Sequence, residues 1–193
     1  MIRPATDRDI PEILSIYAPY VESSTVTFEY DVPCIKTFTQ RFYTYTAQFP
    51  WLVWEEDGKI LGYAYASAPF ERAAFRWCAE PSICLRPEAR GKGIGRKLYI
   101  VLEAILEKQG YCVLYALITG ENAASIRFHE KMGYKTVGNL PDCGFKLGHW
   151  CSLVWMEKRV KIVQSPSAFP CPWLSIVQDA ERITNFLDSL SLS

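Results

Sequence analysis

The sequence lacks the features that mark several large classes of protein. Positive charge is not in excess, because 21 lysines and arginines balance 21 aspartates and glutamates and the pI is near 6.7. Binding a run of nucleic-acid phosphates needs a basic surface, so nucleic-acid binding is disfavoured. No apolar run reaches the ~18 residues that span a bilayer, and the first residues carry no charged-then-apolar signal. We expect a soluble cytoplasmic protein with no membrane contact.

Cysteine pairing motifs are also missing. The seven cysteines are scattered along the chain, and no C-x-x-C occurs among them. An odd number without such motifs is typical of reduced thiols in a reducing compartment. Neither His129 nor His149 has a cysteine pair beside it, as a structural zinc site would require. We therefore expect no metal.

The hydrophobic pattern predicts one α/β domain. The 193 residues, 49% of them hydrophobic, suit a single substantial core. Helical periodicity predicts helices that begin near Thr6, Ile35, Gly95 and Asn122. The predicted strands span residues 51–55, 59–68, 79–85, 111–118, 134–139 and 150–158. This order predicts an α/β (α+β) fold, a mixed central sheet with helices on both faces.

The pattern changes after Arg159. Three prolines lie between Ser165 and Trp173, and an amphipathic helix is predicted over residues 175–190. We therefore divide the chain into a domain, residues 1–159, and a C-terminal extension, residues 160–193. The apolar stripe of this helix must be buried against this subunit, a partner subunit or another protein, and we favour the first two.

A glycine-rich loop, Arg90-Gly91-Lys92-Gly93-Ile94-Gly95, joins a predicted strand to a predicted helix. Glycine permits positive φ, and successive N–H groups at a helix N-terminus bind phosphate oxygens. The loop is not a dinucleotide fingerprint, because Arg96 occupies the last position of G-x-G-x-x-G/A, and it lacks the G-K-[ST] of a P-loop. Taken alone, the loop is either a phosphate site or a tight turn without a ligand.

The loop and its surroundings resemble a known family. It is similar to the R/Q-x-x-G-x-G/A pyrophosphate loop of the GNAT (Gcn5-related N-acetyltransferase) superfamily, as is the segment from Glu121 to Tyr134 downstream. Residues 25–29, 72–80 and 144–150 resemble the phosphinothricin/methionine sulfoximine acetyltransferase branch. The resemblance covers about residues 1–159 and implies the GNAT fold.

The resemblance implies acetyl-CoA as the cosubstrate. Its pyrophosphate would lie on the loop, and its pantetheine arm and thioester on the preceding strand and the next helix start. The implied cofactor-binding residues are Ser82, Ile83, Cys84, Arg90, Gly91, Lys92, Gly93, Ile94, Gly95 and Asn122. A strand N–H would polarise the acetyl carbonyl as an oxyanion hole does. Cys84 as a covalent nucleophile is disfavoured because no base partner is apparent, and helix capping alone would also explain Asn122.

Two residues are implied to be catalytic. Amine attack needs a neutral amine, whereas an alkyl ammonium of pKa ~10 is charged at neutral pH, so a base is required. Glu80 corresponds to the catalytic glutamate of the branch, although alone it would suggest a solvated surface charge. His129 stands where many superfamily members have a tyrosine. It would protonate the CoA thiolate or assist the base, with a structural helix histidine as the alternative.

The acceptor pocket is less closely defined. An amino-acid-like acceptor brings a carboxylate, which arginine binds bidentately. The resemblance implies a substrate pocket formed by Phe28, Glu29, Arg72, Phe75, Arg76, Lys146 and Trp150. Exposed charges are the alternative for Arg76 and Lys146. Phe75, Trp77-Cys78 and Pro81 depart from the branch, which leaves the exact acceptor open.

The expected function is acetyl transfer from acetyl-CoA to the amine of a small amino acid or analogue, such as phosphinothricin, methionine sulfoximine or methionine sulfone. The amine would attack directly in a ternary complex, in a homodimer as is common in the branch. One alternative is another amine: a polyamine, an aminoglycoside or a protein N-terminus. The other is a non-catalytic acetyl-CoA-binding module.

Overall fold

The computed structural model describes residues 1–162, 168–173 and 175, and within these ranges the chain forms one mixed sheet flanked by helices. The α-helices are α1 (Ile10–Ser23), α2 (Ile35–Thr46), α3 (Ile94–Gln109) and α4 (Ala123–Lys131). The strands are β1 (Ile2–Pro4), β2 (Trp51–Glu56), β3 (Lys59–Ser67), β4 (Cys78–Leu85), β5 (Val113–Thr119), β6 (Lys135–Lys146) and β7 (His149–Arg159).

The sheet runs in the order β1-β2-β3-β4-β5-β7-β6. β4 and β5 are parallel and are connected through α3, whereas the other neighbouring strands are antiparallel. β2 and β3 are joined at Asp57-Gly58, where both residues have positive φ, as a tight hairpin turn requires.

Alternation along the strands creates a core on each face of the sheet. Leu52 points into the cluster that holds the apolar stripe of α3, including Leu98 and Leu102. Its neighbours Trp51 and Val53 point into the opposite cluster, which α1 and α2 cover. The predicted mixed sheet with helices on both faces is therefore confirmed.

The sheet splits near its centre. Parallel pairing between β4 and β5 is limited to Cys78 with Val113 and Ala79 with Leu114. β4 continues to pair with β3 on its other side, up to Leu85. Beyond Ala79, β4 and β5 therefore diverge and leave a V-shaped gap between their backbones.

The predicted elements differ from the observed ones mainly at the edges. β1 was not predicted, because it is only three residues long. β6 was predicted over residues 134–139 but extends to Lys146, through Pro141 and two register shifts. A proline and bulges are tolerated there because β6 lies at the edge of the sheet.

Part of the C-terminal extension packs on the domain. Trp173 is 3% exposed, and its N–H donates to the carbonyl of Gln48 at 2.9 Å. Gln109 Nε2 donates to the carbonyl of Cys171 at 2.8 Å, which ties the segment to the end of α3. The helix predicted over residues 175–190 lies outside the described residues, apart from Ser175. In the described part of the chain, no helix is long and apolar enough to cross a membrane.

Candidate active site

A cleft of about 310 Å³ opens where β4 and β5 diverge. The first turns of α4, the loop after α1 and the buried side of α3 close its other sides. Its lining includes seven of the predicted site residues: Phe28, Glu80, Ser82, Ile83, Cys84, Asn122 and His129.

Glu80 occupies the apex of the split. It is the first residue of β4 beyond the parallel pairing with β5, and Ser67 of β3 holds its backbone from the other side. Burial against the cleft wall raises the pKa of Glu80 to about 7. The carboxyl group is therefore balanced between its neutral and charged forms near neutral pH, which suits a proton acceptor.

The part of β4 after Glu80 lines the cleft with its main chain and with the side chains of three residues. Ser82, Ile83 and Cys84 belong to the diverging part of β4, whose backbone has no β5 partner. Cys84 is 8% exposed, and burial raises the pKa of its thiol to about 11. A thiol that stays protonated at neutral pH is a poor nucleophile, which disfavours a covalent acyl-enzyme.

His129 is held by hydrogen bonds at both ring nitrogens. Its Nδ1 lies 2.8 Å from the carbonyl of Ser125, and its Nε2 lies 2.8 Å from the hydroxyl of Tyr99. A carbonyl only accepts, so Nδ1 carries the proton, and the neutral ring accepts from Tyr99 at Nε2. Burial of the 4% exposed ring lowers the pKa of His129, which favours this neutral form.

Tyr99 connects His129 to the strand that carries Glu80. Its hydroxyl lies 3.0 Å from the carbonyl of Pro81, the residue directly after Glu80, and the side chain is fully buried. The single hydroxyl proton of Tyr99 is shared between Nε2 of His129 and this carbonyl, so His129, Tyr99 and β4 lie together along a wall of the cleft. This geometry favours an orienting role for His129 over that of a free proton donor.

The glycine-rich loop adopts the conformation that its sequence predicts. Gly91 and Gly93 have φ values of +75° and +77°, and Gly93 is the N-cap of α3. Gly95 lies against β4, where an added Cβ would stand 3.3 Å from the side chains of Ile83 and Leu85. Exposed N–H groups at a helix N-terminus can bind phosphate oxygens here.

Of the charged side chains in this loop, Arg90 is held by contacts within the chain and Lys92 is exposed to solvent. Arg90 donates to the hydroxyl of Tyr20 at 3.0 Å, and its guanidinium lies 5.5 Å from the centre of that ring. Tyr20 in turn donates to the carbonyl of Leu85 at 2.6 Å, which fixes α1 against the end of β4. Lys92 is exposed, whereas Ile94 is buried under the loop.

Asn122 both caps a helix and faces the cleft. Its side-chain oxygen accepts from the N–H of Ser125 at 3.1 Å, at the N-cap of α4. The same residue lines the cleft opposite β4. The capping role is thus fulfilled without removing Asn122 from the cleft.

The loop after α1 supplies Phe28 and Glu29. The Phe28 ring packs on the backbone of Gly144, where an added Cβ would stand only 2.8 Å from the ring. Glu29 has partners within the chain: it accepts from the hydroxyl of Tyr17 at 3.0 Å and forms an ion pair with Arg41. Phe28 therefore lines the cleft, while Glu29 braces α1 against α2.

Lys146 and Trp150 lie beside the cleft and not in its lining. Lys146 is 3% exposed, and its ammonium donates to the carbonyl of Thr27 at 2.8 Å. Burial lowers the pKa of Lys146. Trp150 is 60% exposed and lies against Phe145, with 5.4 Å between ring centres.

Arg72, Phe75 and Arg76 line a separate cavity of about 320 Å³, together with Cys78. Side chains two residues apart on a strand share a face, so Cys78 and Glu80 point the same way, about 6.6 Å apart. The cavity therefore follows the cleft along β4. The guanidinium of Arg76 lies 4.9 Å from the ring centre of Phe169 in the extension.

Four tyrosines in the cleft lining were not predicted as site residues: Tyr17, Tyr20, Tyr65 and Tyr99. Each lies on a helix or strand whose apolar pattern indicates core packing, so the sequence gives no signal for its hydroxyl. Tyr17 illustrates this, since desolvation raises its pKa to about 12 while its hydroxyl reaches Thr27 at 2.9 Å.

A glycine-rich phosphate loop, a split sheet and a carboxylate at its apex occur together in this chain. The family model described as Acetyltransferase (GNAT) domain matches residues 2–155. The chain belongs to this family. It has the GNAT fold and is an acetyl-CoA-dependent N-acetyltransferase of the phosphinothricin acetyltransferase-like branch.

Relatives within the family support this assignment. The chain is 37% identical to the phosphinothricin N-acetyltransferase of Alcaligenes faecalis over 167 residues, which cover 81% of each protein. It is 37% identical to the L-methionine sulfoximine/L-methionine sulfone acetyltransferase of Pseudomonas aeruginosa over 172 residues, 85% of this chain and 96% of that protein. The crystal structure of a GNAT superfamily phosphinothricin acetyltransferase from Sinorhizobium meliloti in complex with AcCoA superposes with a TM-score of 0.81. That protein is 34% identical, with 86% of this chain and 95% of the other covered.

Proposed function

We propose that the enzyme acetylates the α-amine of a small amino acid or analogue of the phosphinothricin and methionine sulfoximine type. The observation that carries the proposal is Glu80, a half-buried carboxyl group with a pKa of about 7 at the apex of the β4–β5 split. The named relatives act on compounds of this type and align with 81% and 85% of this chain.

Glu80 acts as the base. An α-ammonium group must lose a proton before its nitrogen can attack, and Glu80 accepts that proton directly or through a water molecule. The nitrogen then bonds to the acetyl carbon of acetyl-CoA. Because Cys84 stays protonated, acetyl passes directly to the amine in a ternary complex.

The diverging main chain of β4 stabilises the intermediate. Alternate N–H groups of β4 point to β3, as that of Arg86 does, whereas that of Leu85 points the other way, to Tyr20. By the same alternation the N–H of Ile83 faces the cleft side that β5 has left, where it can donate to the oxyanion. Collapse breaks the carbon–sulfur bond, and the CoA thiolate takes the second proton that the nitrogen loses as the amide forms. His129 and Tyr99 orient β4 at Pro81 during these steps. Phosphate groups of CoA bind at Arg90 to Gly95, and Asn122 faces its pantetheine arm.

The acceptor carboxylate is bound by the cavity next to the cleft. Arg72 and Arg76 are exposed cations that line it, and Cys78 connects it along β4 to Glu80. Phe28 and Phe75 supply apolar walls, whereas Glu29 and Lys146 fix the α1–α2 loop through their own bonds.

The proposal is tested by CoA release with matched acceptors. Methionine sulfoximine, phosphinothricin and methionine sulfone are compared with methionine and methionine amide, which differ in the free carboxylate. Spermidine and an aminoglycoside are the cationic controls. Free amino acids should have the highest kcat/KM, and Arg72→Gln should raise their KM by about tenfold or more. Preference for the cationic acceptors would overturn the acceptor class, and acetyl-CoA binding without any turnover would indicate a non-catalytic module.

Substitution of Glu80 tests the base. Glu80→Gln should lower kcat by about 10²- to 10⁴-fold and leave acetyl-CoA affinity unchanged. In the wild type, kcat/KM should rise with pH as Glu80 ionises through about 7, and this step should disappear in the variant. A Glu80→Gln enzyme with wild-type rates across the pH range would exclude Glu80 as the base.

The proposed assembly is a homodimer located in the cytoplasm. All seven cysteines are free thiols, as in a reducing compartment. β6 lies at the edge of the sheet and presents exposed apolar side chains at Val137 and Leu140, away from the hairpin to β7. A long apolar edge of this kind is suited to burial against a second copy.

A further inference from the structure

A group of metal-ligating side chains lies outside the catalytic machinery, at the start of β7. The carboxylate of Glu121, the imidazole of His149 and the thiol of Cys151 each offer one atom, and these atoms all lie within 4.8 Å of one another. Glu121 and His149 are exposed, whereas Cys151 is fully buried behind them. The sulfur of Cys151 is therefore fixed in the interior, whereas the side chains of Glu121 and His149 can rotate at the surface.

The sheet holds two of these side chains on one face. β6 and β7 are joined by Leu147 and Gly148, both with positive φ, so the hairpin is tight and His149 is the first residue of β7. Cys151 follows two residues later, and alternate residues of a strand share a face. Gly144 pairs with Cys151 across the hairpin, which fixes the thiol in register.

The third side chain is brought by the loop after β5. The N–H of Gly120 donates to the carbonyl of Ser152 at 2.8 Å, which holds this loop against β7. An added Cβ at Gly120 would stand 3.3 Å from the Cβ of Ser152, so glycine permits this close approach. Glu121 is thereby placed beside Cys151, although the two are far apart in sequence. Because Glu121 is far from His149 and Cys151 in the sequence, the spacing of ligand residues along the chain does not reveal this group.

The donor set suits a zinc-class cation. Thiolate, imidazole and carboxylate are all zinc ligands, and bond lengths of about 2.0–2.3 Å place tetrahedral ligands about 3.3–3.8 Å apart. Because Glu121 and His149 are exposed, small side-chain rotations can close the remaining gap. Three protein ligands leave the fourth position for water.

Competing contacts within the chain are weak. The Cys151 thiol reaches the carbonyl of His149 at 3.9 Å, and His149 Nδ1 lies 3.4 Å from the carbonyl of Leu147. Nε2 of His149 can therefore turn to a cation without breaking a strong bond. The backbone N–H of Lys146 also donates to the Cys151 sulfur, which can keep this bond as a thiolate, and the Lys146 ammonium donates to the carbonyl of Thr27 at 2.8 Å.

We propose that Glu121, His149 and Cys151 form a binding site for a zinc-class divalent cation, distinct from the acetyl-transfer site. The cation displaces the thiol proton of Cys151 to solvent and takes the resulting thiolate, the imidazole Nε2 and one carboxylate oxygen as ligands. Acetyl transfer involves no step at this cation.

The test uses the tag-free, full-length protein and two probes. Zn²⁺ binding is measured by calorimetry, and Co²⁺ is added separately to detect the near-ultraviolet band of a thiolate–cobalt bond. The wild type should bind one Zn²⁺ and show the cobalt band. His149→Gln should weaken Zn²⁺ binding by about tenfold or more, and Cys151→Ser should abolish the band. Cys143→Ser, which removes an exposed thiol on β6, is the matched control and should leave both signals unchanged.

Three outcomes would overturn the site: no cobalt band in the wild type, a band that persists in Cys151→Ser, or a band lost in Cys143→Ser. Cys151 is buried, so its variant is first checked for a cooperative unfolding transition. If Cys151→Ser does not fold, the exposed His149 decides, because His149→Gln with wild-type Zn²⁺ affinity excludes the site.

Discussion

At the scale of single residues, Glu80 shows that a group the reaction needs can lower the stability of the fold. Its pKa is raised from the usual 4.5 to about 7 because burial removes water from the charged form. The folded protein therefore holds this proton more tightly than the unfolded chain does. Ionised Glu80 destabilises the fold by on the order of 3 kcal/mol at high pH, since each pKa unit corresponds to about 1.4 kcal/mol.

Glu80→Gln should consequently be more stable than the wild type above about pH 8. A raised folded-state pKa means that stability is lost as pH rises from the unfolded value of 4.5 through about 7. Glutamine cannot ionise, so the variant lacks this loss. Thermal unfolding of both proteins across pH 4 to 9 should show Tm values that agree at the acid end and separate progressively above it. Equal Tm values at high pH would show that Glu80 is solvated in the fold.

Single residues also show where sequence reasoning succeeds and stops. Glu80 comes from one motif and Asn122 and His129 from a second one downstream, and all three line one cleft. The bond between His129 and Tyr99 was not predictable, because it joins α4 to a helix position that the apolar stripe assigns to the core. The buried state of Lys146 depends on a carbonyl more than a hundred residues away in sequence.

At the scale of elements, acetyl-CoA binding by the glycine-rich loop is expected to depend on the positive φ of its glycines. Gly93→Ala should raise the KM for acetyl-CoA by up to about tenfold, because a side chain at φ +77° is strained by about 1 kcal/mol or more. The added methyl group meets no atom within 4 Å, so strain is its main effect. The measurement is the steady-state KM with acceptor saturating, and kcat should change little.

Gly58→Ala is the matched control for this loop. Gly58 has φ +73° and equally open space, but it lies in the β2–β3 hairpin away from the cleft. It should lose similar stability and keep the wild-type KM. Equal KM values in the two alanine variants would show that the Gly93 conformation does not serve acetyl-CoA.

The extension is a second element with a defined role in stability. Trp173 is 3% exposed between the ends of α2 and α3, so Trp173→Ala should lower the free energy of unfolding by about 3–5 kcal/mol. Phe169→Ala, in the same segment but 59% exposed, should change it by less than about 1 kcal/mol. Chemical denaturation compares the two. If both variants match the wild type, the extension does not contribute to the folded core.

Element types were more predictable than element ends. The alternation and helical spacing that define β2 to β5 and α1 to α4 are local, and they survive in the fold. β6 was predicted too short because Pro141, Asp142 and Gly144 are typical of turns. Its position at the sheet edge, which tolerates such residues, is a property of the whole sheet and not of the segment.

At the scale of the whole molecule, the exposed edge of β6 determines the expected assembly. Val137 is 57% exposed near the start of this edge, so Val137→Lys should place a charge in the proposed dimer interface. Light scattering after gel filtration should give twice the 22.1 kDa chain mass for the wild type and a smaller mass for the variant. Ile162→Lys, a 90% exposed position beyond β7, should leave the mass unchanged. A monomeric wild type would refute the homodimer.

The split between β4 and β5 leaves the two parts of the sheet with little backbone pairing between them. β4 and β5 share two paired residues, and the remaining contact between the half with β1 to β4 and the half with β5 to β7 comes from the core around α3 and from aromatic pairs such as Phe49 with Tyr111. A pantetheine arm in the gap would contact both halves, and because the unfolded chain has no such site, acetyl-CoA adds RT ln(1 + [L]/Kd) to the free energy of unfolding. The enzyme's resistance to unfolding should therefore rise with the logarithm of the acetyl-CoA concentration, even after every site is filled.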